Sequence, residues 1–226
     1  MADPATPKTA VLIADDEAMV RAGVRAVLDR DPALETVAEA ADGQQALDAV
    51  AAHRPAVALL DIRMPHLDGI TAAARIHRDH PTTAVIMLTT FAEDAFIAHA
   101  LQAGAAGFLR KADDPRELLR AAHAVAAGGA YLSPRVAARV VTGLRTGQLT
   151  TGAPPRHPVD RLTTREHDVL ALLGAGLSNA EIATRLDLVE STVKAHVSAI
   201  LTKLGVRNRV EAAVAAYAAG LVGTNL

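Results

Sequence analysis

Cysteine is absent from all 226 residues, so neither a disulfide nor a thiolate metal site is available. Tryptophan is absent too, and aromatic residues make up only 2% of the chain. Single strands held by bases stacked on exposed rings are therefore a poor expectation. No apolar run approaches the roughly 20 residues that span a bilayer. Ala2–Thr9 is a short polar lead without the apolar stretch of a secretory signal. These absences lead to the expectation of a globular, cytoplasmic protein with no membrane partner.

Charge is also close to balanced, at a formal −2, but it is unevenly spread. From Arg156 onward eight Lys/Arg stand against seven Asp/Glu, whereas the preceding chain has 15 against 18. That is a faint pointer to a polyanion at the C-terminal end. With 50% hydrophobic residues, a chain of this length can bury one large core or two modest ones.

The first part of the chain repeats strand then helix five times. Ala10–Ala14, Thr36–Ala40, Val57–Asp61, Ala84–Thr89 and Gly107–Lys111 are short apolar runs, each followed by residues at helical spacing. Val57–Leu60 runs into Asp61 without alternation, as in a parallel strand covered on both faces. Pro65 and Asp68-Gly69 then stop the strand and cap a helix over Ile70–His80. Thr90 and Glu93 have capping-box spacing, and Asp114 precedes Pro115 at a favoured first helical position. Right-handed crossovers make this an α/β unit, a five-stranded parallel doubly wound sheet of flavodoxin-like order, over residues 1–127.

Ligands of such sheets gather at the carboxyl ends of the strands. Here those ends carry Asp15-Asp16, Asp61, Thr89 and Lys111. Taken singly, the acids read as solvated loop starts or caps, Thr89 as a cap and Lys111 as a surface charge. Together they make a pocket of three carboxylates, a hydroxyl and an ammonium. Three adjacent acids call for a divalent cation, and hard oxygen donors suit Mg²⁺. A carboxylate there can attack a phosphoryl group, with Lys and metal offsetting its charge.

Residues from about 8 to 127 resemble the receiver domain of two-component response regulators. The residues that carry the likeness are Asp15-Asp16, Asp61, Met64-Pro65, Asp68-Gly69, Thr89, and Gly104-Ala105 through Phe108 to Lys111. The resemblance implies that Asp61 accepts phosphate from a sensor histidine kinase. It further implies Mg²⁺ on Asp16, Asp61 and the backbone carbonyl of Arg63, with Asp15 assisting. Thr89 and Phe108 match the family's switch pair. Ala112 departs from the pattern, since many receivers carry a cis proline after the lysine. A haloacid-dehalogenase-type phosphatase is the rival, but it wants a second acid two residues after the nucleophile, where this chain has Arg63.

Residues 128–159 read as a linker. Ala137, Val140, Val141 and Leu144 allow one short helix, and Thr146–Pro158 is rich in Thr, Gly and Pro. His77 and His80 could share a helix face, but no third ligand completes a metal site.

Residues 160–226 change character. Thr163/Glu166 and Ser178/Glu181 are two capping boxes that open two helices. Asn179–Leu186 is followed closely by the longest helix, Glu190–Leu204, and Arg209–Ala219 makes a fourth. The outer face of Glu190–Leu204 is small and polar, with Lys194 near its start, which suits entry into a major groove. A small dimerisation bundle is the alternative. Leu162–Val222 resembles the four-helix LuxR-like DNA-binding domain of nitrate-type regulators. The likeness rests on Leu162-Thr163, Arg165-Glu166, Gly176–Asn179, Glu181–Ala183, Thr192–Lys194, His196-Val197 and Lys203–Gly205. It implies that Lys194, Ala195 and Ser198 face bases and that Thr192, Lys203, Arg207 and Asn208 meet phosphates. It also implies a double-stranded operator and a homodimer on activation. Val189 stands where the family usually has a capping Ser, unless Ser191 takes over by starting the helix later.

Overall fold

Five strands and their helices form the first half of the chain. The computed structural model describes residues 8–90, 94–133, 136, 159–206 and 208–221. The strands are β1 (Thr9–Ala14), β2 (Leu34–Ala40), β3 (Val57–Asp61), β4 (Ala84–Thr89) and β5 (Gly107–Arg110). Between and after them run α1 (Ala18–Leu28), α2 (Gly43–His53), α3 (Gly69–Asp79), α4 (Asp94–Gln102) and α5 (Pro115–Ala126). Every strand pairing is parallel.

The sheet has six strands where the sequence suggested five. β6 (Tyr131–Leu132) adds to the edge, giving the order β2-β1-β3-β4-β5-β6. After α5 the chain reverses at Gly128-Gly129, and Tyr131 and Ser133 donate to Ala106 and Phe108 carbonyls. Two residues are too few to show any periodicity, so this strand lies hidden at the head of the expected linker. The short helix and the tether expected over 137–158 lie outside the described residues.

Alternation along each strand sorts the core into two layers. Leu12, Leu60, Met87 and Phe108 face α2, α3 and α4 together with Ala72, Ile76 and Leu101. Val11, Ile13, Leu59, Ile86 and Leu109 face α1 and α5, against Leu28, Leu118 and Val125. Burying each such large side chain contributes about 1.5–3 kcal/mol. The continuous apolar runs follow directly from this double burial.

The second unit is all-helical: α6 (Thr164–Gly174), α7 (Asn179–Leu186), α8 (Glu190–Leu204) and α9 (Arg209–Ala218), preceded by a 3₁₀ turn at Val159–Arg161. Val169, Leu173, Ile182, Val193, Val197, Ile200 and Leu204 form its core. Both capping boxes are present as expected. α8 starts at Glu190, with Val189 in the cap position, exposed and making no side-chain cap bond. Ser191 therefore does not replace the missing cap, and α8 begins without a side-chain cap.

One polar tie locks α6 to α8. Glu166 is only 5% exposed. Its carboxylate accepts from Thr163 N at 2.7 Å and pairs with Lys203 Nζ at 2.7 Å. The hydrogen bond from Lys203 is the leading cause that holds the carboxyl down at about 2, below its usual 4.5. A carboxyl lowered in the folded state stabilises above its unfolded pKa, and that stability is lost as pH falls toward the folded value. The chain is therefore expected to lose stability from about pH 4.5 toward about 2, and Glu166→Gln to remove part of that slope. Denaturant midpoints across this range for both proteins check it; identical slopes would contradict the assignment.

Candidate phosphoryl site and DNA-reading face

β1 and β3 end side by side, β5 ends one strand farther on beyond β4, and the residues that follow them converge. Asp15 is fully buried and Asp61 is 6% exposed, while Asp16 faces solvent. One carboxylate oxygen from each of the three lies within 4.8 Å of the others. Lys111 Nζ reaches Asp15 Oδ2 at 2.7 Å and Asp61 Oδ1 at 3.2 Å, with Glu17 farther away at 3.7 Å. The backbone N–H of Lys111 donates to the Thr89 carbonyl at 2.7 Å, which keeps the residue registered on β4 despite Ala112 behind it. Glu17 N and Arg63 N donate to Asp15 and Asp61 at 3.0 and 3.1 Å. Arg21 holds the Asp15 carbonyl at 2.7 Å.

The electrostatics are those of a site short of positive charge. Burial raises the Asp61 carboxyl, Lys111 lowers it, Asp15 raises it again, and the balance is upward. Burial alone would lower Lys111, but the hydrogen bond to Asp15 and the charges of Asp61 and Asp15 hold it above its usual value. One ammonium cannot offset three carboxylates. The donor set is hard oxygen and fits a divalent cation.

The sequence-predicted switch residues are placed beside this centre. Thr89 is buried at the end of β4, and Phe108 is fully buried one strand over, in the layer facing α4. A small cavity of about 40 Å³ opens beside Asp61, lined by Arg63, Thr89, Thr90 and Phe96. The Arg63 guanidinium lies 5.2 Å above the Phe96 ring and roofs it. Glu93 lies outside the described residues.

In the helical unit, Lys194, Ala195 and Ser198 lie exposed on one face of α8, with Thr192 half-buried beside them. Lys194 pairs with Glu190 one turn earlier at 2.8 Å. A small, polar, exposed face on the second of two closely linked helices is what major-groove entry requires.

Comparison with known proteins bears on both units. Residues 11–123 match the model for the response regulator receiver domain, and residues 160–216 match that for the bacterial regulatory proteins of the luxR family. The chain is 35% identical to the nitrate/nitrite response regulator protein NarL of Escherichia coli over 212 residues, 94% of both chains. The chain is a NarL/LuxR-family response regulator. It is also 38% identical to the transcriptional regulatory protein LnrK of Bacillus subtilis over 208 residues, covering 90% of this chain and 94% of LnrK. Among solved structures it resembles the two-component response regulator RcsB in complex with DNA. That likeness has 25% identity, a TM-score of 0.56, and covers 94% of this chain and 98% of the RcsB chain.

Within this response regulator two expected phosphate contacts are engaged elsewhere. Lys203 is the strut of Glu166 already described. Asn208 is 5% exposed; its amide donates to the Leu101 carbonyl of the receiver, and its oxygen caps α9 at Glu211 N, 2.9 Å. Arg207 lies outside the described residues. Asn208 is buried in this arrangement, whereas the Lys203 side chain stays 39% exposed beside its pair; both bonds join residues far apart in sequence and so leave no local signal.

Other residues of the site gave little signal. Phe96 and the Arg63 side chain form the roof, and Arg21 braces Asp15. Gly69 does more than turn the chain: a Cβ there would lie 1.8 Å from the Asp61 carbonyl oxygen. Only glycine lets α3 start so close to the Asp61 backbone. Gly23, on α1, would meet nothing within 4 Å. Gly69→Ala is therefore expected to cost about 1–3 kcal/mol of receiver stability, and Gly23→Ala to add about 0.5–1 kcal/mol. Thermal unfolding of the two variants measures this, and equal midpoints would contradict the close approach.

Proposed function

We propose that Asp61 accepts a phosphoryl group from a sensor histidine kinase, and that this controls dimerisation and DNA binding. The observation that carries the reading is Lys111 bound to both Asp15 and Asp61 at the strand ends. Asp61 supplies the attacking carboxylate oxygen, and as its bond to phosphorus forms the donor's phosphorus–histidine nitrogen bond breaks, with the imidazole leaving. Asp15, Asp16, Asp61 and the Arg63 carbonyl would hold Mg²⁺, which when bound offsets charge on the phosphoryl oxygens. Lys111 then exchanges a carboxylate for a phosphoryl oxygen, and the Thr89 hydroxyl donates to another. The cavity under Phe96 leaves room beside Asp61 for that group.

The contacts between units suggest how the signal travels. Asn208 holds the C-terminal turn of α4 at Leu101, and Arg209 Nη1 donates to the Gly128 carbonyl after α5 at 3.1 Å. A shift of Thr89 and α4 toward the phosphoryl group changes what Asn208 can reach. Phosphorylation thus biases an existing equilibrium toward freed reader helices. Two freed units in a homodimer can meet two half-sites of a double-stranded operator. Thr192, Lys194, Ala195 and Ser198 are the residues we assign to DNA, with Lys194, Ala195 and Ser198 toward bases. Among the described residues no helix is long and apolar enough to cross a membrane, which agrees with action in the cytoplasm beside the operator. The phosphoryl chemistry serves signalling and not turnover of a substrate: position 63, where a phosphatase of the dehalogenase type wants an acid, carries arginine.

Two outcomes are expected. A small phosphodonor with Mg²⁺ adds one phosphoryl group to the wild type and none to Asp61→Asn, as intact-mass spectrometry would read; equal labelling would sink the assignment. Asn208→Asp keeps the cap on α9 but loses the donor to Leu101. It is expected to raise the operator affinity of the unphosphorylated protein several-fold. A residue that held a DNA phosphate would do the reverse, so weaker binding in a titration of labelled operator would refute the tie.

A further inference from the structure

Where the two units meet they line an open cleft of about 510 Å³, within the size range of small-ligand sites. The receiver contributes His77 and the turns at Gly104 and Gly128, and the reader unit contributes Asn179, Lys194 and Arg209. None of the described lining residues is an acid. The cleft wall therefore holds two cations and a histidine, and the acids that act on the cations, Glu190 on Lys194 and Glu181 on Arg209, are not among its lining residues.

Arg209 is the informative member. It is 8% exposed, yet every acceptor it meets is neutral. Nη1 donates to the Gly128 carbonyl at 3.1 Å and to Asn179 Oδ1 at 2.8 Å, and Nη2 donates to the Leu177 carbonyl. Glu181 is the carboxylate that acts on it through space, and that carboxylate is held in the Ser178 capping box. Desolvation pulls the guanidinium down to about 10. A buried guanidinium without an anion is a costly arrangement, and an anion supplied from outside would relieve it. Lys194 adds a second cation; its pairing with Glu190 is between side chains 55% and 41% exposed and is easily exchanged.

We propose that this cleft binds a small multivalent oxyanion, of the phosphate or carboxylate class, between Arg209, Lys194 and His77, with the Asn179 side chain as a further polar contact. Such a ligand touches both units and so stabilises their joined arrangement. Lys194 and Ser198 belong both to the cleft wall and to the exposed face of α8. Anion and DNA therefore exclude each other, and the anion is a negative effector of DNA binding. By linkage the operator must weaken the anion by the same factor. The inference rests on the joined arrangement and not on chemistry at Asp61.

The test uses the full chain, unphosphorylated, with EDTA present and ionic strength held constant by sodium chloride. Inorganic pyrophosphate and citrate are titrated calorimetrically, one arm for each class. One saturable site is expected with at least one of them, and the arm that binds names the class. Lys194→Ala and Arg209→Gln should each weaken it at least tenfold, whereas Asp61→Asn should leave it unchanged. If Arg209→Gln fails to fold, Lys194→Ala, a substitution at an exposed position, decides alone. Operator affinity should fall as the anion saturates. Three results would each overturn the proposal: no saturation with either anion beyond the chloride control, affinity unchanged in Lys194→Ala, or loss of binding in Asp61→Asn. DNA affinity that is indifferent to a saturating anion would overturn its role as effector.

Discussion

The bond of Lys111 to Asp15 and Asp61 is the constraint on which the rest of the receiver depends. Three acids gathered at the ends of two adjacent parallel strands would repel one another and resist burial. A single ammonium placed between two of them makes the cluster tolerable, and it does so only because β5, paired to β4 next to β3, lets Lys111 reach across to them. The fold must therefore keep these strand ends in register. It does so with strands apolar on both faces, and with Gly69, where any side chain would strike the Asp61 carbonyl. The same compromise leaves the site short of positive charge, which is what makes it receptive to a cation.

In the reader unit, charged residues work as struts. Glu166 and Lys203 join α6 to α8, and Arg209 gathers carbonyls from Leu177 and Gly128. What remains for DNA is a face of small residues with Lys194 in its first turns. A reading surface without bulk can be laid against other surfaces too, including the receiver's own. The polar residues that tie the two units are thus as much a part of the regulator as the strand-end acids.

Much of this was legible in the sequence because it is local. The uninterrupted run before Asp61, the alternation of strand and helix, and the two capping boxes at Thr163 and Ser178 each declare themselves within a few residues. What stayed hidden was either too short or too distant. Tyr131–Leu132 is too brief to display a period, so the sixth strand passed for linker. Lys203 and Asn208 sit beside a reading helix and look like phosphate contacts, but their partners lie 37 and 107 residues away. Phe96 carries no spacing signal; its role comes from the Arg63 side chain that happens to cross it. Val189 is the opposite case, for its failure to cap α8 was visible in the sequence and the structure offers no substitute side chain.

The central claim is that phosphorylation at Asp61 separates the reader unit from the receiver. The absence of cysteine makes it directly measurable, because two labels can be placed at will. Asp48 on α2 and Arg185 on α7 are both exposed and stand in different units. Spin labels on cysteines at these two positions would give a distance distribution by pulsed electron resonance. The account predicts a distribution that lengthens and broadens when the phosphodonor and Mg²⁺ are added, and that stays fixed in the Asp61→Asn background. An unchanged distribution in protein shown to be fully phosphorylated would contradict it.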